Sequence, residues 1–309
     1  MKLVTLLDKL KNDFPLKSEN QAFHITLKQK LEDFQKEIEE LEQEDFKERE
    51  GLIPFDKFIE FEKTICQEIN RAIESARNGN PVEAYNIFEK ILEKEIEERK
   101  IKDYLSKITS EQETKIFYRY RFVSKSNKKE NYNKNDIKHC PFEYVQNLGN
   151  FRFSLPGFPC LYLGSSEKVS KREIRYRKNN TYIRGKFELC IGVTLLNICP
   201  FDNQKNISDK VQFLLLYPLY LSCLAKQKNK KDAHFHEEYI IPQLLLLYVR
   251  KNNIESEKKI DGIRYLSTRY SPKKDNVLEM MNYVFPVTKI ADKGYDKDLM
   301  KKFKINIIR

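Results

Sequence analysis

The sequence predicts an α+β fold, with a helical N-terminal module at residues 1–112 followed by a sheet-containing domain at residues 113–309. The spacing of apolar residues changes near residue 112, from the three-and-four periodicity of helices to the alternation of strands. The formal charge changes over the same region. Residues 1–115 carry 20 Lys and Arg against 27 Asp and Glu, whereas residues 116–309 carry 37 against 19. We therefore expect two modules with different partners.

The composition limits the class of protein. The 309 residues suffice for one large or two ordinary domains, and 40% of them are hydrophobic, which excludes a globally disordered chain. Six cysteines without a CxxC pair predict reduced thiols and a cytoplasmic protein. The N-terminal sequence MKLVTLLDKLKNDF lacks the features of a signal peptide. The most apolar segment, VQFLLLYPLYLSCLA, is shorter than the roughly 20 residues of a membrane span, so we expect a buried helix and no membrane span.

Residues 58–92 predict a helical hairpin. Apolar side chains recur every three or four residues before Gly79, which can take the left-handed conformation that ends a helix. Asn80 then provides an N-cap, with Pro81 at the first helical position and Glu83 three residues after the cap. The preceding segment, LKQKLEDFQKEIEELEQEDFKE, has one apolar stripe but too few heptads for a coiled coil. We expect a helix that packs on the hairpin.

The remainder of the chain alternates between predicted strands and helices. The strands are IFYRYRFV (116–123), CLYL (160–163), KFELCIGVTLLNI (186–198), IDGIRYLSTR (260–269) and YVFPVTKI (283–290). The helices are SEKVSKREIRYRK (166–178), which Ser165 or Ser166 can cap, VQFLLLYPLYLSCLA (211–225) and EEYIIPQLLLLYVRK (237–251). The polar segment at 124–138 predicts a solvated loop.

Three of these segments resemble the RES domain, a family named for an arginine, a glutamate and a serine. They are FYRYR (117–121), FRFSLPGFPCLYLGSSEKVSKREI (151–174), and EYIIPQLLLLYVRKN (238–252) followed by IDGIRYLSTR. The resemblance covers roughly residues 116–290 and does not extend to residues 1–110. It implies a mixed-sheet domain with flanking helices that is similar to ADP-ribosyltransferases.

The resemblance also implies an activity. Members of the family consume NAD as a substrate and split off nicotinamide by hydrolysis or phosphorolysis, without a metal or a further cofactor. Many are growth-arresting toxins, toxin–antitoxin components or phage-defence effectors, so an inhibitory antitoxin or a sensor protein is the implied protein partner.

Three matched residues carry the implied catalysis. Glu173 would stabilise the positive charge that develops on the ribose as the nicotinamide bond breaks. The planar guanidinium of Arg152 would grip the pyrophosphate. Ser267 would anchor the carboxamide or a phosphate oxygen.

Four further residues match positions that would bind the substrate. Arg119 matches the arginine of the opening strand, and Arg121 lies on the same strand face two residues later. Tyr162 ends the apolar strand and would stack on the nicotinamide. Ser154 stands where the family usually has asparagine, which puts one ligand contact in doubt.

Ordinary structural roles are alternatives for the same residues. Glu173 would then pair with basic neighbours on its helix, Tyr162 would be a core aromatic, Ser267 a turn residue, and one of Arg119 and Arg121 a surface residue. The histidines in HFHEE (234–238) and HC (139–140) fit no metal-binding spacing, so we expect solvated loop histidines and no metal site.

Other functions stay open at this point. The basic runs KQKNKKD, SNKKENYNKN and KREIRYRK would also suit a nucleic-acid-binding protein without catalysis. An ADP-ribosyltransferase that modifies a macromolecule is a second alternative. The acidic N-terminal module would also suit a sensing domain that docks on the basic half and restrains it. A homo-oligomer is compatible with all of these functions.

Overall fold

The computed structural model describes residues 1–18, 21–46, 53–96, 98–109, 115–124, 131–201, 206–228 and 235–308. The chain folds into two compact units, and each unit is made of two segments. The first unit comprises residues 1–106 and 198–248, and the second comprises residues 107–197 and 249–309. Residues 198–248 thus belong to the first unit, whereas the sequence placed them in the second domain. The predicted domain limit at residue 112 lies outside the described residues.

The first unit is mainly helical. Its helices are α1 (Leu3–Leu10), α2 (Phe23–Glu39), α3 (Phe55–Arg77), α4 (Pro81–Glu93), α5 (Ile101–Leu105) and α7 (Ile207–Cys223). A two-stranded ribbon of β1 (Glu95–Ile96) and β2 (Arg99–Lys100) precedes α5. Helix α8 (Ile240–Glu255) continues from the first unit into the second, and α6 (Glu167–Glu173) and α9 (Lys297–Lys301) belong to the second.

The predicted helical hairpin is confirmed as α3 and α4. The Asn80 side chain accepts a hydrogen bond of 3.2 Å from the main-chain N–H of Glu83, and Pro81 begins α4. Gly79 has a φ of +80°, the left-handed conformation that glycine adopts without strain. The predicted preceding helix is also confirmed, and α2 packs on α3.

The most apolar segment of the chain forms α7, a core helix of the first unit. Its residues from Phe213 to Cys223 are buried, and it packs against α1, α2, α3 and α5. Pro218 lies within the helix. Among the described residues, no helix combines the length and the apolar character that crossing a membrane requires.

The second unit is organised around a β-sheet, which confirms the α+β class. The strands are β3 (Ser106–Thr109), β4 (Ile116–Val123), β5 (Cys160–Gly164), β6 (Thr181–Leu189), β7 (Val193–Ile198), β8 (Gly262–Leu266), β9 (Met281–Pro286) and β10 (Phe303–Ile308). Within the described parts of the chain they lie in the order β10-β6-β4-β5-β9-β8-β7-β3. The pairings from β10 to β8 are antiparallel.

Some element limits differ from the predictions. The segment at 186–198 contributes to two strands, β6 and β7, with residues 190–192 between them. Helix α6 ends at Glu173, earlier than predicted, because Arg175 adopts a left-handed φ of 51°. Helix α1 and strand β10 were not predicted. Part of the predicted loop at 124–138, residues 125–130, lies outside the described residues.

Close packing fixes α6 on the sheet. A Cβ atom at Gly164, the last residue of β5, would lie only 2.4 Å from the Ser170 hydroxyl oxygen of α6. That hydroxyl donates a hydrogen bond of 3.0 Å to the main-chain oxygen of Tyr118 on β4. Ser166 caps the helix by accepting from the Val169 N–H, so the predicted cap is confirmed. The C-terminal end of α6 is therefore held in a defined position over the sheet.

Candidate active site

The Glu173 carboxylate, at the end of α6, meets two polar side chains from neighbouring strands. Its Oε1 atom accepts a hydrogen bond of 2.6 Å from the Ser267 hydroxyl and one of 2.7 Å from the Asn282 side-chain amide. Ser267 follows β8 and is fully buried, and Asn282 lies on β9 and is 5% exposed. The structure thus brings together two of the three predicted catalytic residues and adds a third polar group that the sequence analysis missed.

The second carboxylate oxygen has a different environment. Arg269 donates from Nε to Oε2 of Glu173 at 3.3 Å, which is a long hydrogen bond. The Arg269 main-chain N–H donates to the Ser267 hydroxyl oxygen at 3.1 Å. The Glu173 side chain is 36% exposed. Oε1 is therefore fixed by two buried donors, whereas Oε2 faces a partly exposed cation that can be displaced.

The loop that carries Arg269 is tied to α6 by a second ion pair. Arg172 donates from both terminal nitrogens to the buried carboxylate of Asp275, with 2.9 Å between Nη2 and Oδ1. Arg172 also donates to the main-chain oxygen of Arg269 at 3.3 Å. Burial alone would raise the pKa of Asp275, but hydrogen bonds from Arg172, Lys168 and the Ser271 N–H outweigh it and lower the pKa. These contacts join α6 to the loop directly before Glu173.

A shallow basic depression lies beside Glu173. It has a volume of about 460 Å³ and is lined by Lys171, Arg172, Arg175, Tyr176 and Arg269. We refer to these five residues as the basic depression. Four of them carry positive charge, so the depression suits an anionic group such as a phosphate.

Tyr162 on β5 contacts the turn that carries Arg152 and Ser154. The Tyr162 hydroxyl donates a hydrogen bond of 2.5 Å to the main-chain oxygen of Phe153. The Ser154 hydroxyl donates to the Phe151 carbonyl at 2.9 Å, and the same oxygen accepts from the Phe151 N–H at 2.8 Å. Ser154 therefore closes a turn of its own backbone. Arg152 lies inside this turn and is 8% exposed.

Arg119 and Arg121 donate to main-chain carbonyls. Nη1 of Arg119 lies 3.2 Å from the Tyr162 oxygen, and Nη1 of Arg121 lies 3.0 Å from the Asp136 oxygen. Burial, with a smaller contribution from the neighbouring Arg121, lowers the pKa of Arg119 to about 10. The guanidinium therefore stays charged at neutral pH.

Strand register separates these arginines from the carboxylate cluster. Gly164 is paired with Asn282 on one side and with Tyr118 on the other, so all three residues face the same side of the sheet. Tyr162, two residues before Gly164, faces that side as well. Arg119, next to Tyr118, starts from the opposite face. Strand register therefore separates Arg119 and Arg121 from the face that Tyr162 and Asn282 share.

The histidines were predicted to be solvated, and for His139 this prediction was wrong. His139 is fully buried, and its Nε2 accepts a hydrogen bond of 2.9 Å from the Asp296 N–H, which leaves Nδ1 to donate to the Cys140 carbonyl at 2.7 Å. His234 lies outside the described residues, and His236 lies 3.0 Å from the Gln227 side chain. In the described part of the chain, no group of three His, Cys, Asp or Glu could hold a metal ion.

A second cavity lies in the first unit, with a volume of about 530 Å³. Its charged side chains pair with one another, with 2.8 Å between Lys9 and Glu37 and 2.6 Å between Lys30 and Asp13. The Tyr217 hydroxyl also donates to Asp13 at 2.7 Å. Oε2 of Glu37 is buried without a hydrogen-bond partner among the described residues, and we assign no ligand to this cavity.

Asn282 and Arg269 are the residues that sequence reasoning missed. Asn282 is a lone polar residue in the apolar strand MMNYVF, and Arg269 follows Ser267 by two positions. The isolated position of Asn282 among apolar residues and the spacing of Arg269 from Ser267 can both be read from the sequence. Their connection to Glu173 depends on the pairing of β5 with β9 and on the loop after β8.

The comparisons with known proteins point to a toxin-named relative. The chain is 31% identical over 261 residues to a protein of Bacillus subtilis (strain 168) named "Putative toxin YopC". The similarity covers 79% of this chain and 57% of that protein, so the chain spans a little over half the length of its relative. No protein-family model matches the chain, and no solved structure matches it. The resemblance to the RES family stays a prediction.

Proposed function

We propose that this protein is a toxin that cleaves the bond between nicotinamide and ribose in NAD. The observation that carries the proposal is the Glu173 carboxylate, which is fixed through one oxygen by Ser267 and Asn282 and partly exposed at the other. The ordered RES-like motifs and the toxin name of the relative support the same reading.

The chemistry requires a carboxylate close to the ribose. As the C–N bond breaks, its electron pair stays on the nicotinamide nitrogen and the ribose develops an oxocarbenium-like positive charge. Oε2 of Glu173 would stabilise that charge and orient a ribose hydroxyl or the attacking nucleophile. Water would then give ADP-ribose, and inorganic phosphate would give a phosphorylated ADP-ribose.

Ser267 and Asn282 act in this scheme as positioning residues. The Ser267 hydroxyl donates its proton to Oε1 and accepts the Arg269 N–H, so it is engaged within the protein. The two donors hold the carboxylate in one orientation before the substrate arrives, which removes the cost of reorganising it during the reaction. This role differs from the ligand contact that the sequence resemblance implies for the serine.

The test is to induce the full-length protein in growing bacteria and to measure cellular NAD alongside growth. We compare the wild type with Glu173→Gln, and use Glu279→Gln as the matched control because Glu279 pairs with Lys168 on the surface. We expect the wild type and the control to deplete NAD before growth stops, and Glu173→Gln to do neither. Growth arrest with unchanged NAD would refute the activity, and equal toxicity of Glu173→Gln would refute the role of the carboxylate.

A further inference from the structure

Three of the four cations in the basic depression form ion pairs with acidic side chains. Lys171 pairs with Glu167 at 2.8 Å, Arg172 pairs with Asp275, and Arg269 pairs with Glu173 at 3.3 Å. The Arg175 side chain makes no hydrogen bond or ion pair with any residue in the described part of the chain. Three acidic groups thus face the four cations that line the depression, and one of them, Asp275, also pairs with Lys168, so the depression carries excess positive charge.

The backbone at Arg175 adds an independent observation. The Tyr176 N–H donates to the Lys171 carbonyl at 2.9 Å and the Arg175 N–H donates to the Arg172 carbonyl at 3.1 Å, which is the hydrogen-bond pattern of a Schellman helix end. Arg175 occupies the left-handed position of that motif, with a φ of 51°. Glycine is the usual residue there because a side chain is strained in this conformation. An arginine at a strained position points to a use for its side chain.

Arg269 connects the depression to the carboxylate. Its guanidinium lines the depression and at the same time donates to Oε2 of Glu173. The 3.3 Å contact is long for an ion pair between charged groups, and both side chains are about one-third exposed. An anion in the depression would therefore compete with Glu173 for Arg269 at little cost.

We propose that the basic depression binds a phosphate group through Arg175, Lys171 and Arg269, and that this binding draws Arg269 away from Glu173. The free chain then holds Oε2 masked by Arg269, and the phosphate-bound chain exposes Oε2 to the ribose. The link to catalysis rests on the proposed function, whereas phosphate binding itself does not. The phosphate belongs either to the pyrophosphate of the dinucleotide or to inorganic phosphate.

The first experiment measures phosphate binding by isothermal titration calorimetry on the full chain at fixed ionic strength. Arg175→Ala is compared with Arg177→Ala, a charge-matched control at an exposed arginine that does not line the depression. We expect Arg175→Ala to weaken the binding of inorganic phosphate about tenfold and Arg177→Ala to leave it within about twofold. Equal losses in both variants, or no binding by the wild type up to about 10 mM, would overturn the proposal.

A variant that relieves strain guards against misfolding. Arg175→Gly places the preferred residue at the left-handed position, so the protein should melt at a higher temperature while still losing phosphate binding. A melting temperature that falls, or phosphate binding that persists, would contradict the role of Arg175 in binding the anion.

The second experiment is a double-mutant cycle between Glu173 and Arg269. If Glu173 competes for Arg269, Glu173→Gln should tighten phosphate binding several-fold, and the gain should disappear in the Arg269→Ala background. A gain that is equal in both backgrounds would reflect simple repulsion between the carboxylate and the phosphate. That result would overturn the transfer of Arg269.

The third experiment distinguishes the two sources of phosphate by adding ADP, which carries a pyrophosphate. If ADP displaces inorganic phosphate from the wild type and Arg175→Ala weakens the binding of ADP itself, the depression takes the dinucleotide's pyrophosphate. If both bind together, the depression takes inorganic phosphate as a reactant. Both results support an anion site, whereas ADP binding that ignores both Arg175 and phosphate contradicts it.

These readouts distinguish a failure of the anion site from a failure of the proposed activity. Phosphate binding that depends on Arg175, together with intact NAD, would refute the proposed activity and leave the anion site standing. NAD cleavage together with unchanged phosphate binding in Arg175→Ala would refute the anion site and leave the proposed activity standing.

Discussion

The two oxygens of Glu173 differ in their surroundings, and this difference is the centre of the candidate site. Oε1 is held by Ser267 and Asn282, both nearly inaccessible, and Oε2 meets a partly exposed arginine. The proximity of Glu173 and Ser267 could be expected from their order in RES-like motifs. Asn282 could not, because its position depends on which strand lies beside β5, and strand order is not written in any local pattern.

Asn282→Ala tests the positioning role at the residue scale. Loss of one donor lets the carboxylate rotate, so we expect kcat for NAD cleavage to fall roughly 10- to 100-fold with KM little changed. The matched control is Asn306→Ala, at an exposed position on β10. Steady-state kinetics on both variants provides the measurement, and a KM effect without a kcat effect would assign Asn282 to substrate binding instead.

His139 gives a second prediction, on the pH dependence of stability. Burial lowers the pKa of His139, so the folded chain keeps the ring neutral where the unfolded chain, with a pKa near 6.5, takes up a proton. Stability should therefore fall as the pH drops below about 6.5, by up to about 1.4 kcal/mol per pH unit. The neighbouring Asp296 has a lowered pKa because hydrogen bonds outweigh its burial, so its own effect appears only at more acidic pH, below 3.8.

Urea unfolding at several pH values between 5 and 7.5 checks this prediction. In His139→Gln the slope over that window should become shallower than in the wild type, whatever the absolute stability of the variant. Parallel curves for the two proteins would show that His139 does not titrate as its burial implies.

At the scale of elements, the placement of α6 decides whether the site exists. The helix and its Ser166 cap follow from the sequence, because a serine before an apolar-periodic segment is a start signal. Its end does not follow, because an arginine occupies the left-handed position where a glycine would have marked the stop. The close approach of α6 to β5 could not be predicted either, because a glycine such as Gly164 at the end of a strand can also serve a turn or a bulge.

Gly164→Ala tests that approach. The added methyl group would overlap the Ser170 hydroxyl and Val169, so α6 must shift and carry Glu173 with it. We expect a loss of roughly 1–3 kcal/mol in the free energy of unfolding together with a loss of activity. Gly149→Ala is the control, because its new methyl group would make an ordinary contact with Phe151 and should change stability by less than about 0.5 kcal/mol. Similar values for the two variants would argue against tight packing of α6.

At the scale of the whole molecule, the chain is less simply divided than its charge distribution indicates. The change from helical to alternating periodicity locates the start of strand β4 correctly at Ile116 but misses β3, an earlier strand of the same sheet. It cannot show that residues 198–248 return to the helical unit, because an apolar helix such as α7 fits the core of either unit by composition alone. Only the contacts with α1, α2, α3 and α5 decide it.

Because residues 198–248 belong to the helical unit, removal of the N-terminal helices should affect the solubility of the chain. A chain that begins at Lys115 keeps α7 but lacks the helices that bury it, so we expect it to be insoluble rather than more active. A matched chain of residues 107–197 joined to 249–309 by a Gly/Ser linker also removes α7, and should recover solubility. The soluble fraction after expression is the measurement, and a soluble, folded chain from Lys115 would contradict the division.

Restraint of the basic half by the acidic module is better tested on the full chain, where higher salt should raise the activity.

The most direct test of the central claim is the mass of the products that the purified full-length protein makes from NAD, with and without inorganic phosphate. We predict free nicotinamide together with ADP-ribose or its phosphorylated form, abolished by Glu173→Gln and retained by Glu279→Gln. Intact NAD in both conditions would contradict the account. Equal release of nicotinamide by Glu173→Gln would also contradict it. If ADP-ribose were found only on a macromolecule, the protein would instead be an ADP-ribosyltransferase.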